Sequence, residues 1–144
     1  MLPELKFSEA RSNLTSVIDA AQRNQPTVIK PRKSSESGSI LMTVEMLKAL
    51  TDSNQERTFR FEILPDAAAS TTISVEPFDI AVNGETREEA ISAAVDDVID
   101  YARDYFKEFP IYYGSKNRRS HLALVMKVLL CESKKEVAEL IGFA

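Results

Sequence analysis

Phe7 to Lys33 reads FSEARSNLTSVIDAAQRNQPTVIKPRK, and this stretch decides how the first part of the chain folds. Ala10, Leu14, Val17, Ile18 and Ala21 recur at helical spacing and form one apolar stripe. A helix is therefore expected from a Ser8 cap to about Gln22. Arg11 lies at the border of that stripe, in the first turn, where its guanidinium can reach outward. Asn24, Gln25 and Pro26 stop the helix. Thr27, Val28 and Ile29 then read as a short strand, and Pro31 weakens any continuation beyond Lys30.

Working outward, Ser34 to Ser39 (SSESGS) is a flexible turn, and Ile40, Leu41 and Met42 return as a second strand to close a hairpin. Thr43 caps a further helix, with Val44, Leu47 and Leu50 expected to face inward. Residues 2 to 52 thus read as strand, helix, hairpin and helix. A unit of about fifty residues buries too little surface to be stable alone, so a homodimer is the physical expectation.

Beyond a polar linker at residues 53–58, Phe59 to Leu64 alternates apolar and polar side chains as a half-buried strand does. Thr71 to Val75 and Phe78 to Val82 give two more strands, with Pro77 between them marking a bulge or edge, and Asn83-Gly84 reads as a turn. Thr86 and Glu89 then form a capping box, in which each side chain satisfies a free amide at the helix start. Ile91, Ala94, Val95, Val98, Ala102, Tyr105 and Phe106 are the expected buried face of that long helix. After a break at Pro110 to Gly114, His121 to Leu130 is an apolar helix, and Ser133 with Glu136 opens a last one that Gly142 ends. The fold class is α+β: a small strand-helix-hairpin-helix domain at 1–52, then at 59–144 a small antiparallel sheet with a long capped helix and C-terminal helices.

Several function classes drop out. No apolar run approaches the roughly 20 residues that span a bilayer, and the first residues lack the order of a secretory signal, so a cytoplasmic protein is expected. One cysteine, Cys131, and one histidine, His121, allow neither an internal disulfide nor a Cys/His zinc site. His121 stands beside Arg118 and Arg119, which disfavours a catalytic base, and it is expected to be solvated; Cys131 is expected to be a buried apolar filler. The four glycines are too far apart for a phosphate loop. No enzyme and no cofactor is expected.

Charge is segregated. From Met1 to Lys33 there are six basic and three acidic side chains; from Phe59 to Tyr113 four and twelve; from Gly114 onward six and three. Different parts are thereby suited to different partners. In the basic head, a dimer would double Arg11, Lys30, Arg32 and Lys33 across a two-fold axis, an arrangement suited to palindromic duplex DNA. In the acidic middle, Asp96, Asp97, Asp100 and Asp104 share one helix; a solvated face is the ordinary reading, Mg²⁺ binding a minor one, and a surface complementary to a basic protein the third.

The segments FSEARSNLTSVIDAA, QPTVIKPRK and ILMTVEMLKAL, in that order, resemble the Phd/YefM antitoxin pattern of bacterial toxin–antitoxin modules. The resemblance covers residues 4 to about 52. It implies a dimeric head that binds operator DNA and represses its own operon. Arg11 matches the family's DNA-contacting arginine in the first helix. Pro31 occupies the place of the second, with Arg32 one residue later. ISVEPFDIAVNGETREEAISAAVDDVIDY is similar to the HicB antitoxin domain, with Gly84, Thr86, Glu89 and Ala90 matching its helix start. Together these imply an autorepressing antitoxin whose second half neutralises a basic, RNA-cleaving toxin of the RelE/ParE type. The alternative is a HicB-like or other protein-interaction subunit that does not bind DNA.

Overall fold

The computed structural model describes residues 2–53, 58–65 and 70–143, so residues 54–57 of the expected linker lie outside the described residues. The chain divides into two compact units, residues 1–50 and 51–144. The first carries β1 (Glu4–Leu5), α1 (Phe7–Ser12), α2 (Leu14–Gln22), β2 (Thr27–Ile29), β3 (Ser39–Leu41) and most of α3 (Val44–Asp52). β1 runs parallel to β2, with Glu4 opposite Val28, and β2 runs antiparallel to β3, with Val28 opposite Ile40.

This unit departs from the sequence-based expectation in several ways. The single helix expected over Ser8–Gln22 is two, divided at Asn13, whose backbone turns to φ −121° and ψ 36°. Its start is at Lys6 rather than Ser8: the Glu9 carboxylate accepts the Lys6 N–H at 2.9 Å, satisfying an amide that has no partner within the helix. The break re-aims the second segment, so the apolar stripe is not all inward. Ala10, Val17 and Ala21 are buried, whereas Leu14 and Ile18 are 53% and 43% exposed. Val44 and Leu50 also face outward, although Thr43 does cap α3, its Oγ1 accepting the Met46 N–H at 3.1 Å.

The second unit starts from the antiparallel meander β4 (Arg60–Pro65), β5 (Thr71–Glu76) and β6 (Ile80–Gly84). Pro77, Phe78 and Asp79 form the turn between the last two strands, after a cis Glu76–Pro77 peptide. The strand expected from Phe78 therefore begins at Ile80, and Phe78 goes into the core. Asn83 and Gly84, expected as a turn, finish β6 instead. A side chain at Gly84 would meet the backbone of the following helix, which is why glycine stands there.

That helix, α4 (Arg87–Lys107), begins as expected. Thr86 Oγ1 accepts the Glu89 N–H at 3.1 Å, and the Glu89 carboxylate accepts the Glu85 N–H at 3.1 Å. It lies across β5 and β6 and packs against the later helices. Ala90, Ala94, Val95, Val98, Ala102 and Tyr105 are its buried residues, and the alanines let the sheet and helices approach closely. Phe106, expected inward, is 42% exposed.

The expected break at Pro110–Gly114 is a short helix, α5 (Phe109–Gly114). Pro110 is its second residue, where the missing N–H interrupts no intrahelical bond. A 3-10 turn (Arg119–His121), α6 (Leu122–Leu130) and α7 (Lys134–Ile141) follow. Ser133 caps α7, accepting the Glu136 N–H at 3.2 Å, and Gly142 ends it in the left-handed conformation with φ 110°. His121 is not solvated as expected but buried, with Nδ1 2.7 Å from the Tyr101 hydroxyl. Cys131 is only partly buried, its thiol donating to the Lys127 carbonyl. The described residues form a mixed α+β chain with two small sheets.

Candidate functional site

Arg11, Lys30, Arg32 and Lys33 are all exposed in the first unit, but they are not equivalent. Arg11 stands in the last turn of α1, not the first turn of a long helix. Lys30 follows β2, and its Nζ lies 3.2 Å from Oε2 of Glu4 on the neighbouring strand. Arg32 is held within the β2–β3 turn. Its guanidinium pairs with both carboxylate oxygens of Glu36, its backbone N–H bonds to the same group at 3.2 Å, and it lies 5.5 Å from the Phe7 ring centroid. The Arg32 side chain holds the Glu36 carboxyl below the usual glutamate range, against an opposing effect of burial and with a lesser contribution from the Arg32 N–H. Lys30, Arg32, Glu36 and Phe7 line one shallow groove of about 360 Å³. Among the described residues, Arg11 and Lys33 have no carboxylate partner.

Sequence reasoning singled out these cations and missed the two carboxylates that hold a pair of them. For Glu36 a signal existed: it stands four residues from Arg32, inside the turn that closes the hairpin. Glu4 gave none, because only the parallel pairing of β1 with β2 brings it to Lys30.

Asp96, Asp97, Asp100 and Asp104 lie along one side of α4, as spacings of three, four and seven require. Asp96 is bound to Lys134 at the start of α7 at 2.6 Å, and Asp100 lies 3.7 Å from Arg103. Both line a cavity of about 590 Å³ whose far wall is Val128, Leu129 and the Cys131–Lys134 junction between α6 and α7. Asp97 and Asp104 lie outside that cavity and are exposed, with no cation partner among the described residues. No group of three or more His, Cys, Asp or Glu is placed to hold a metal ion among the described residues. None of their helices is long and apolar enough to cross a membrane.

A family model described as PHD-like, an antitoxin of a toxin–antitoxin system, RelE/RelB, matches residues 1–143. The chain belongs to this antitoxin family. Membership in the PHD-like antitoxins implies a cognate toxin as partner. A crystal structure described as the antitoxin part of a proposed toxin/antitoxin system, from Syntrophomonas wolfei subsp. wolfei, is similar in fold. It superposes with a TM-score of 0.77 at 24% sequence identity, over 96% of this chain and 96% of that one. No curated protein matches the chain.

Proposed function

We propose that this PHD-like antitoxin is a non-enzymatic regulator that binds operator DNA as a homodimer through residues 1–52 and neutralises a basic RelE/ParE-type toxin through residues 59–144. The observation that carries the first part is the make-up of the N-terminal unit. Its buried apolar side chains are Ala10, Val17 and Ala21, while Leu2, Phe7, Leu14, Ile18, Ile40 and Val44 are exposed. So small a core with so much uncovered apolar surface is what a subunit interface leaves on an isolated protomer. Of the four candidate cations, Arg11 and Lys33 are the ones available to phosphates or base edges, and a two-fold axis would present each twice.

The second part rests on the α4 acidic face. Asp97 and Asp104 supply uncompensated negative charge that would attract a basic toxin and set its approach. Asp96 and Asp100 support the wall of the adjoining cavity through Lys134 and Arg103.

The experiment is binding of the purified protein to its own upstream DNA across a salt series, beside Arg11→Ala and a scrambled duplex. Preferential, salt-sensitive binding that Arg11→Ala weakens supports the DNA-binding head. Equal binding to both duplexes, or none, sinks it. The toxin half fails separately if charge reversal at Asp97 and Asp104 leaves co-purification of the toxin unchanged. One observation favours the second reading, a HicB-like interaction subunit without DNA binding: Lys30 and Arg32 are both already held by carboxylates of the same unit.

A further inference from the structure

The second unit carries a cluster that neither the DNA-binding head nor the acidic face explains. Residues 109–131 contain Lys116, Arg118, Arg119 and Lys127 and no acidic side chain, within an otherwise acidic chain. At the start of this stretch α5 presents aromatic rings one turn apart. Phe109 and Tyr113 are stacked, with centroids 5.0 Å apart and planes 11° from parallel. The Arg119 guanidinium lies over Tyr113, 5.2 Å from its centroid, and its Nε–H donates to the Tyr113 carbonyl at 3.1 Å. Arg118 lies over Tyr112 at 4.9 Å in the same way. Ring, ring and guanidinium therefore form a continuous ladder, and Tyr113, Arg118 and Arg119 are exposed.

The segment that carries the arginines is fixed from below. The Tyr105 hydroxyl donates to the Arg118 carbonyl at 3.0 Å, and the Tyr101 hydroxyl meets His121 Nδ1 at 2.7 Å. Both tyrosines come from α4, whose buried face packs on the sheet. No carboxylate among the described residues pairs with Lys116, Arg118 or Arg119. The nearest acidic side chain in sequence, Glu108, precedes α5 at the end away from the arginines.

We infer that this corner is a binding surface for single-stranded nucleic acid. The occupant follows from the chemistry. The Arg119 guanidinium plane, backed by Tyr113 and flanked by cations without a carboxylate partner, fits an unstacked base beside a phosphate, because a base stacks on a guanidinium plane while the neighbouring phosphate takes the charge. A duplex hides its base faces and would use only the charge. A basic toxin would meet like charge here, since residues 109–131 carry four cations and no acidic side chain.

The test uses the full chain with a fluorescein-labelled oligouridylate of about a dozen nucleotides, followed by anisotropy over a salt series. Wild type should bind with an affinity that falls as salt rises. Tyr113→Ala and Arg119→Ala should each weaken binding by about tenfold. Tyr113→Phe should retain it, since the ring and not the hydroxyl backs the Arg119 plane. Lys116→Ala should lower the salt slope by about 0.7 without removing binding. Circular dichroism melts should show that the variants fold, as expected for exposed positions. The inference is overturned if wild type binds no single strand, or if Arg11→Ala abolishes binding that Tyr113→Ala and Arg119→Ala leave intact. It is equally overturned if the patch variants lose the cognate toxin while oligouridylate binding is unchanged, which would make the corner a protein-docking face.

Discussion

A methyl group on Gly84 would lie 2.4 Å from the Ala90 amide nitrogen and 2.9 Å from the Thr86 carbonyl oxygen. Both are backbone atoms of the α4 start, so neither can rotate away, and the strand would have to move off the helix. Gly84→Ala should therefore destabilise the protein by about 1–3 kcal/mol, read as a lower midpoint in urea unfolding with an unchanged slope. Tyr101 is decided at the same scale. Burial pushes its phenol up to about 12, against the opposing charge of Arg118 and with small additions from Tyr105 and Tyr112. Its folded value is raised, so the stabilisation from keeping it neutral is full below the unfolded value of about 10 and is lost as pH climbs through about 12. Phenolate absorbance should still be rising near pH 12, and Tyr101→Phe should diminish that last step. The same substitution takes one partner from buried His121 and should cost about 1–2 kcal/mol near neutrality, measured by thermal unfolding.

At the scale of elements, the β2–β3 turn holds Arg32 in a closed pair with Glu36. Because Glu36 is held below the usual glutamate range, the pair is intact above that range and is lost as pH falls through the lowered value. Glu36→Gln should release the guanidinium at every pH. If Arg32 addresses DNA, this variant should bind the upstream duplex more tightly and with a salt slope steeper by about one phosphate contact, measured by anisotropy. Elements differ in how far the sequence discloses them. The α4 and α7 starts were legible because Thr86 with Glu89 and Ser133 with Glu136 are local devices, each complete within four residues. The division at Asn13 was not, because the apolar spacing continues through it and only the backbone turn separates the two segments. Pro110 has the sequence signature of a breaker, yet its place as second residue of α5 makes it harmless. The burial of His121 has no local signal, because the hydroxyl that meets it belongs to Tyr101, on a separate helix.

For the whole molecule, the two units are unequally filled. Phe59, Ile73, Val75, Val98, Tyr105, Leu124 and Val125 are among the buried residues of the second, against three small or medium apolar side chains in the first. A dimer formed through the first unit should be measurable by light scattering as a mass that rises with concentration. Replacing Leu14 and Ile18, which stand one turn apart on α2, with glutamate should return the monomer and with it lower DNA affinity. The antitoxin site was legible in part. Charge segregation pointed to a basic head and an acidic helix. The pairing of Lys30, Arg32, Asp96 and Asp100 within the chain depends on strand and helix neighbours that no local pattern encodes, and the ring-and-guanidinium corner at Phe109–Arg119 was hidden by reading α5 as a break.

The thin packing of residues 1–50 also sets where the chain is first cut. Opening a unit that buries Ala10, Val17, Ala21 and Thr27 exposes little new surface, so its backbone should become available to a protease well before that of the second unit. Limited digestion should therefore trim the N-terminal unit and leave a resistant fragment from the second. If protomers cover one another's apolar side chains, the first cut should slow as protein concentration rises. The lifetime of the intact chain would then be a function of its own abundance.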